Sequence, residues 1–181
     1  MSSYGWLLDP KRCIDCRACE SACKQWNHVE TGVNVRYRQV RLQESGTFPQ
    51  ARVQALSISC NHCENAYCVK VCPVKAISRR ADGIVVVDTK RCLGCGMCGM
   101  FCPYGAPQYH AVTQQMQKCT MCVDRVDQGL APACASACPT GALQWGNWDE
   151  IASQGAASIE GFNPYQVEPH IRFVTTGWGT K

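Results

Sequence analysis

The chain has 181 residues, enough for one domain or two small ones sharing a core, and sixteen of them are cysteine. Its formal charge of +4 includes no lysine- or arginine-rich block, which argues against a nucleic-acid partner. The start lacks the basic and apolar regions of a secretory signal, and no run approaches the roughly 20 apolar residues of a membrane span. Any membrane association is therefore expected to come through a partner.

In chain order, the first feature is a C-x2-C-x2-C-x3-C run, Cys13, Cys16, Cys19 and Cys23, with a helix predicted over Ala18–Asn27. Val33 to Arg38 alternates apolar and polar residues and Val53–Ile58 is β-prone. With Gly46 and Pro49 between them, the two runs predict a hairpin or small sheet. The second group is Cys60, Cys63, Cys68 and Cys72, then Pro73. Lys75–Ser78 and Ile84–Asp88 flank Asp82-Gly83 and predict a second hairpin. The third group is Cys92, Cys95, Cys98 and Cys102, then Pro103. The spacing of Met116, Cys119, Cys122 and Val126 predicts a helix over Gln115–Gln128, interrupted by a cysteine loop. The fourth group is Cys119, Cys122, Cys134 and Cys138, then Pro139. Residues 147–181 lack cysteine and are broken by glycine and proline. Their aromatics, Trp148, Phe162, Tyr165, Phe173 and Trp178, are too many for a free linker and predict docking on protein, the chain's own or a partner's.

Such spacing suits iron–sulfur cubanes. A tight loop of three cysteines wraps three corners of a cubane and turns its backbone N–H groups toward the sulfides. The fourth cysteine, a helical turn further on, points to another cluster, as in two-cluster ferredoxins. Disulfides would show varied loop spacings, and structural zinc takes two separated cysteine pairs, so both alternatives fit poorly. Groups must then work in pairs, either one with two and three with four, or one with four and two with three. The short hairpin between groups two and three favours the second pairing. So does the likeness of Cys72-Pro-Val-Lys-Ala-Ile to Cys138-Pro-Thr-Gly-Ala-Leu. The expected fold is α+β: two interleaved bacterial-type 2[4Fe–4S] ferredoxin-like modules with short hairpins and helical turns. Residues 1–28 and 112–148 form the outer module, 29–59 a β-prone insertion, 60–111 the inner module, and 149–181 a C-terminal extension for partner docking. Sixteen thiolates and four cluster cores would bring the loaded chain to about −4, so the basic pI misleads.

His62 and His110 are not expected as ligands, because every cubane already has four cysteines. Arg12, Arg17, Lys24, Arg91 and Lys118 flank cysteines, where a cation would favour the reduced cluster, or are simply solvated. Trp26 and Tyr104 are expected to pack over clusters. No nucleophile–base motif, dinucleotide fingerprint, phosphate loop or spare cysteine points to catalysis.

The four groups, with lengthened gaps in the second and fourth, resemble the iron–sulfur subunit of the dimethyl sulfoxide reductase / polysulfide reductase superfamily of molybdopterin oxidoreductase complexes. The likeness covers residues 4–148. It implies one cluster on Cys13, Cys16, Cys19 and Cys138, and a second on Cys23, Cys119, Cys122 and Cys134. A third falls on Cys60, Cys63, Cys68 and Cys102, and a fourth on Cys72, Cys92, Cys95 and Cys98. Some nitrate-reductase relatives carry a [3Fe–4S] cluster where a group-three cysteine is replaced. Cys95 is retained here, so four [4Fe–4S] clusters are expected. Group one departs from the pattern only in having Lys24 where proline would stand. The resemblance implies a non-catalytic subunit relaying single electrons between a molybdopterin catalytic subunit and an integral-membrane or quinone-handling partner. It would sit peripherally on the membrane through that partner, the periplasmic side favoured over the cytoplasmic. The same relay serving a hydrogenase or multihaem cytochrome is one alternative, and a structural zinc protein another.

Overall fold

A computed structural model of the chain describes residues 3–30 and 35–175. Strand β1 (Tyr4–Leu8) is the centre of a three-stranded sheet, between β8 (Leu143–Asn147) and β9 (Ile171–Phe173). β8 runs antiparallel to it, pairing Leu8 with Leu143, and β9 runs parallel, pairing Leu8 with Phe173. Trp6, Leu7 and Leu8 are all buried, as a central strand covered on both faces requires. This sheet ties both ends of the described chain to the segment after the fourth cysteine group.

Three two-stranded hairpins make up the remaining sheet structure of the described residues. In the first, β2 (Arg38–Ser45) pairs with β3 (Arg52–Ser59). Its proximal half buries Arg38, Val40, Leu56 and Ile58, while Leu42, Phe48 and Val53 are exposed toward the tip. Gly46 turns the tip at φ +78°, where a Cβ would meet the Gln50 carbonyl at 2.7 Å. The predicted strand from Val33 begins only at Arg38, and Val33 and Asn34 lie outside the described residues. β4 (Ile77–Arg79) and β5 (Val85–Val87) form the hairpin expected around Asp82-Gly83.

The helix predicted over Gln115–Gln128 is a correction. Gln115–Gln117 is strand β7, paired with β6 (Gln108–His110), and helix occupies only α4 (Val123–Val126). Met121 and Cys122 carry φ of +57° and +50°, so the helix cannot begin before the cysteine loop has turned. The apolar spacing of Met116 and Val126 comes from separate elements that both face the interior.

The helices are short: α1 (Ala18–Trp26), α2 (Tyr67–Lys70), α3 (Met97–Met100), α5 (Ala133–Ser136) and α6 (Trp148–Ile151). Helix α1 continues past Cys23 because no proline follows that cysteine, whereas α2, α3 and α5 stop before Pro73, Pro103 and Pro139. α1 packs against α5, and α2 against α3. The helices within groups one and four therefore meet, as do those within groups two and three. Several cysteines belong to the interior: Cys19, Cys23, Cys60, Cys119 and Cys134 share one apolar cluster with Trp6, Ile84 and Phe173, and Cys98 shares another with Ile77 and Met116.

The extension lies on the chain's own body as far as it is described. Val167, Ile171 and Phe173 are buried, and Phe173 packs on Phe162 with ring centroids 4.8 Å apart. Its backbone also reaches the second cysteine group: His170 N–H donates to the Asn61 carbonyl, while Glu64 and Asn65 donate to Glu168 and Val167. Trp178 lies outside the described residues.

Candidate metal centres

Each group begins with the same backbone device. The residue before the second cysteine is left-handed in all four: Asp15 at φ +51°, His62 at +45°, Gly94 at +67° and Met121 at +57°. Only one is glycine, so the other three hold a conformation that L-residues resist. That bend turns the N–H inward. The amide of Gly94 donates to Cys92 Sγ at 3.5 Å and that of Met121 to Cys119 Sγ at 3.3 Å. Such a concavity of backbone N–H groups favours anionic sulfur.

The fourth cysteines share a second device. In Cys-Pro-x-x-Ala the fourth residue is left-handed (Lys75 at φ +52°, Gly105 at +63°, Gly141 at +62°), and following amides donate to the thiol. Ala76 N lies 3.2 Å from Cys72 Sγ, and Leu143 N 3.5 Å from Cys138 Sγ. Group one solves the problem differently. Its helix runs on, so Asn27 N–H is used on the Cys23 carbonyl, and the Asn27 side chain takes over. Nδ2 lies 3.8 Å from Cys23 Sγ and 3.7 Å from Cys122 Sγ. Nothing in the motif spacing marked Asn27. Its signal was its place four residues after Cys23, where the other groups have Ala76, Ala106 and Ala142.

The thiols come together across groups. Cys13 faces Cys19, Cys138 and Cys16, and Cys23 faces Cys119, Cys134 and Cys122. Cys63 faces Cys60, Cys102 and Cys68, and these four line one cavity. Cys98 faces Cys92 and Cys95, and Cys72 and Cys92 both lie against its apolar cluster, as do Cys63 and Cys68. The neighbourhoods adjoin in file. Cys134 also faces Cys19, Cys119 faces Cys60, and Cys68 faces Cys98.

Burial pushes most of these thiols up, and their neighbours' charges add to it. Cys119 rises to about 11 and Cys68 to about 12. Cys138 alone is held below its ordinary value, because the N–H groups around it, Leu143 first, outweigh its burial. Four thiolates cannot share such an environment without positive charge among them. Among the described residues no group of three or more His, Cys, Asp or Glu side chains is placed to hold a single metal ion. Zinc at ~2.3 Å from each sulfur would draw the sulfurs to within about 3.8 Å of one another. All sixteen cysteines are free of disulfides. Asn61, 1% exposed, lines the cavity of Cys60, Cys63, Cys68 and Cys102, and its amide has no hydrogen-bond partner among the described residues. Sulfides in that cavity would accept its N–H. The donor set, the inward amides and this orphaned side chain fit an iron–sulfur core.

The histidines serve the backbone. His62 Nδ1 accepts from Val85 N at 3.0 Å, and His110 Nδ1 from Thr113 N at 3.2 Å. Tyr104 stacks on Phe162 at 5.0 Å and donates to the Pro164 carbonyl, which ties the third thiol set to the C-terminal extension. Trp26 is partly exposed, donates to Asp124 and lies under Arg125. Of the cations flanking cysteines, Lys118 is buried, whereas Arg12 and Arg91 are exposed.

Fold and site together define an iron–sulfur electron-transfer protein. The family described as 4Fe-4S dicluster domain matches residues 51–148. Over 156 residues the chain is 45% identical to a component of the anaerobic dimethyl sulfoxide reductase of Escherichia coli K12, covering 83% of this chain and 76% of that one. It is 43% identical over 154 residues to the thiosulfate reductase electron transfer subunit of Salmonella typhi, covering 84% and 80%. It is also 33% identical over 201 residues to a subunit of the sulfite dehydrogenase of Allochromatium vinosum, covering 100% and 81%. The chain belongs to this family of iron–sulfur electron-transfer subunits, which are the non-catalytic partners in reductase complexes.

Proposed function

We propose that the chain holds four [4Fe–4S] clusters in two interleaved ferredoxin-like modules and relays single electrons between a molybdopterin catalytic subunit and a membrane or quinone-handling partner. The ligand sets would be Cys13, Cys16, Cys19 and Cys138; Cys23, Cys119, Cys122 and Cys134; Cys60, Cys63, Cys68 and Cys102; and Cys72, Cys92, Cys95 and Cys98. Each bound cluster would take up and release one electron without a proton or a broken bond.

The observation that carries the reading is the file of thiol neighbourhoods, first to second to third to fourth, with an exposed cysteine only at each end. Cys16 is exposed in the first set and Cys95 in the fourth, while the rest are buried or half-buried. Exposed aliphatic side chains stand beside them at matching places in their loops, Ile14 and Leu93. Such ends suit docking, and a covered middle suits passage. By the family's habit, the catalytic subunit would meet the first set and the membrane partner the fourth. Among the described residues no helix is long and apolar enough to cross a membrane, which suits peripheral attachment through a partner.

Anaerobic purification tests the reading. It expects a brown protein with about sixteen iron and sixteen sulfide per chain, and a large subunit bound to it. A colourless protein with about four zinc would overturn it.

A further inference from the structure

We propose that Arg38 and Lys118 are potential-setting residues of the relay, placing fixed positive charge where the first thiol set meets the second and the second meets the third. This rests on the four-cluster reading above. Both side chains are 2% exposed, and among the described residues neither makes an ion pair with a carboxylate. Arg38 donates to the Ser57 carbonyl at 3.0 Å, Ser57 Oγ at 3.2 Å and Ser59 Oγ at 2.8 Å, and its guanidinium lies 4.4 Å above the Trp6 ring. Its Nε has no partner. Lys118 Nζ donates to the Cys119 carbonyl at 3.0 Å and to the Val85 carbonyl.

These partners are neutral, and a buried cation without an opposite charge is costly. The opposite charge must come from the sulfurs. Ser57 Oγ links the guanidinium to Cys19 Sγ at 3.4 Å, and the charge of Arg38 is felt by Cys134, Cys119 and Cys23. Arg38 therefore stands between the first and second sets. Lys118 adjoins Cys119 of the second set, and its charge reaches Cys68 of the third.

The physical need is plain. Burial disfavours the more negative, reduced form of a cluster, so the covered middle of a relay would otherwise be a barrier to electrons. A fixed cation offsets that burial and raises the potential. The fourth set has no equivalent buried cation on it among the described residues. Reduction here adds one electron, with no bond made or broken.

The test is an EPR-monitored redox titration of the purified holoprotein, with signals assigned through Cys16→Ser and Cys95→Ser. Arg38→Gln should lower the midpoints of the first and second clusters at least tenfold in the reduced-to-oxidised ratio, about 59 mV for one electron. Lys118→Met should do the same to the second and third. The fourth should not move in either. Unchanged midpoints, or an equal shift of all four, would overturn the proposal. Where a neutral variant fails to load its clusters, Arg38→Lys and Lys118→Arg decide. Loaded protein with wild-type midpoints supports a role for charge, and failure of these as well overturns it in favour of packing. A wild-type protein without four clusters would instead refute the relay itself, before any variant is compared.

Discussion

Replacing Cys138 with serine separates crossed from local ligation. Cys138 belongs to the fourth group in sequence, but its thiol faces Cys13, more than a hundred residues away. Serine can keep the local turn, because its oxygen can still accept from Leu143 N–H, now 3.5 Å from sulfur, and pair with Thr140. Under the crossed ligation proposed above, what would be lost is one soft thiolate ligand of the first cluster. Iron should fall from about sixteen per chain to about fifteen if that cluster survives with three irons, or to about twelve if it is released. EPR should show the change in the first cluster, with the third and fourth unaltered. If the altered signal belongs instead to the cluster of Cys119, Cys122 and Cys134, ligation runs within groups and the crossed arrangement is wrong.

Other perturbations read other parts of the design. Lys75→Gly should stabilise by up to about 1 kcal/mol, since Lys75 is exposed and left-handed where its counterparts are glycine. Slower bleaching of the cluster absorbance in guanidinium would report it, and faster bleaching would contradict it. Phe173→Ala should cost about 3–5 kcal/mol, because that ring is fully buried between β1 and Phe162, and bleaching should accelerate markedly. Ile14→Asp and Leu93→Asp should each leave iron content intact while weakening co-purification of a different partner. Loss of the same partner by both would contradict opposite docking ends.

The cysteine groups and their proline stops were legible because cluster binding constrains spacing directly. The hairpins around Gly46 and Asp82-Gly83 were legible from turn chemistry, and α1 from its start within the first cysteine loop. The central strand β1 carried no such signal. It is a short run buried on both faces, with no alternation, and its partners are far away in sequence. The error over Gln115–Gln128 has a related cause. Apolar residues recur there because a strand, a cysteine loop and a helical turn each present one side chain inward, which imitates a helical period. The left-handed positions were hidden for the opposite reason. Glycine announces Gly94, but Asp15, His62 and Met121 adopt the same bend without announcing it. Arg38 read as an ordinary polar residue of an alternating strand, and only its burial against Trp6 and the thiols reveals its place.

Removal of the clusters should unfold the chain rather than leave an empty scaffold. Among the described residues five of the six α-helices have four residues, far below the roughly 12–15 that an isolated helix needs in water. Three of the four sheets among the described residues are two-stranded, and such hairpins are marginal alone. The loops between them hold non-glycine residues at positive φ, a conformation that needs the surrounding structure to enforce it. Without iron the thiols of Cys23, Cys119 and Cys134, raised by burial, would be neutral, and Arg38 would face no compensating charge. Every one of these costs is offset at the same place, by the group the sulfurs surround. Anaerobic extraction of iron should therefore abolish most far-UV circular dichroism together with the visible absorbance, in one step. An apoprotein that kept its β-sheet signal and a cooperative thermal transition would show that the three-stranded sheet around β1 suffices as a core, and would refute this account of the fold.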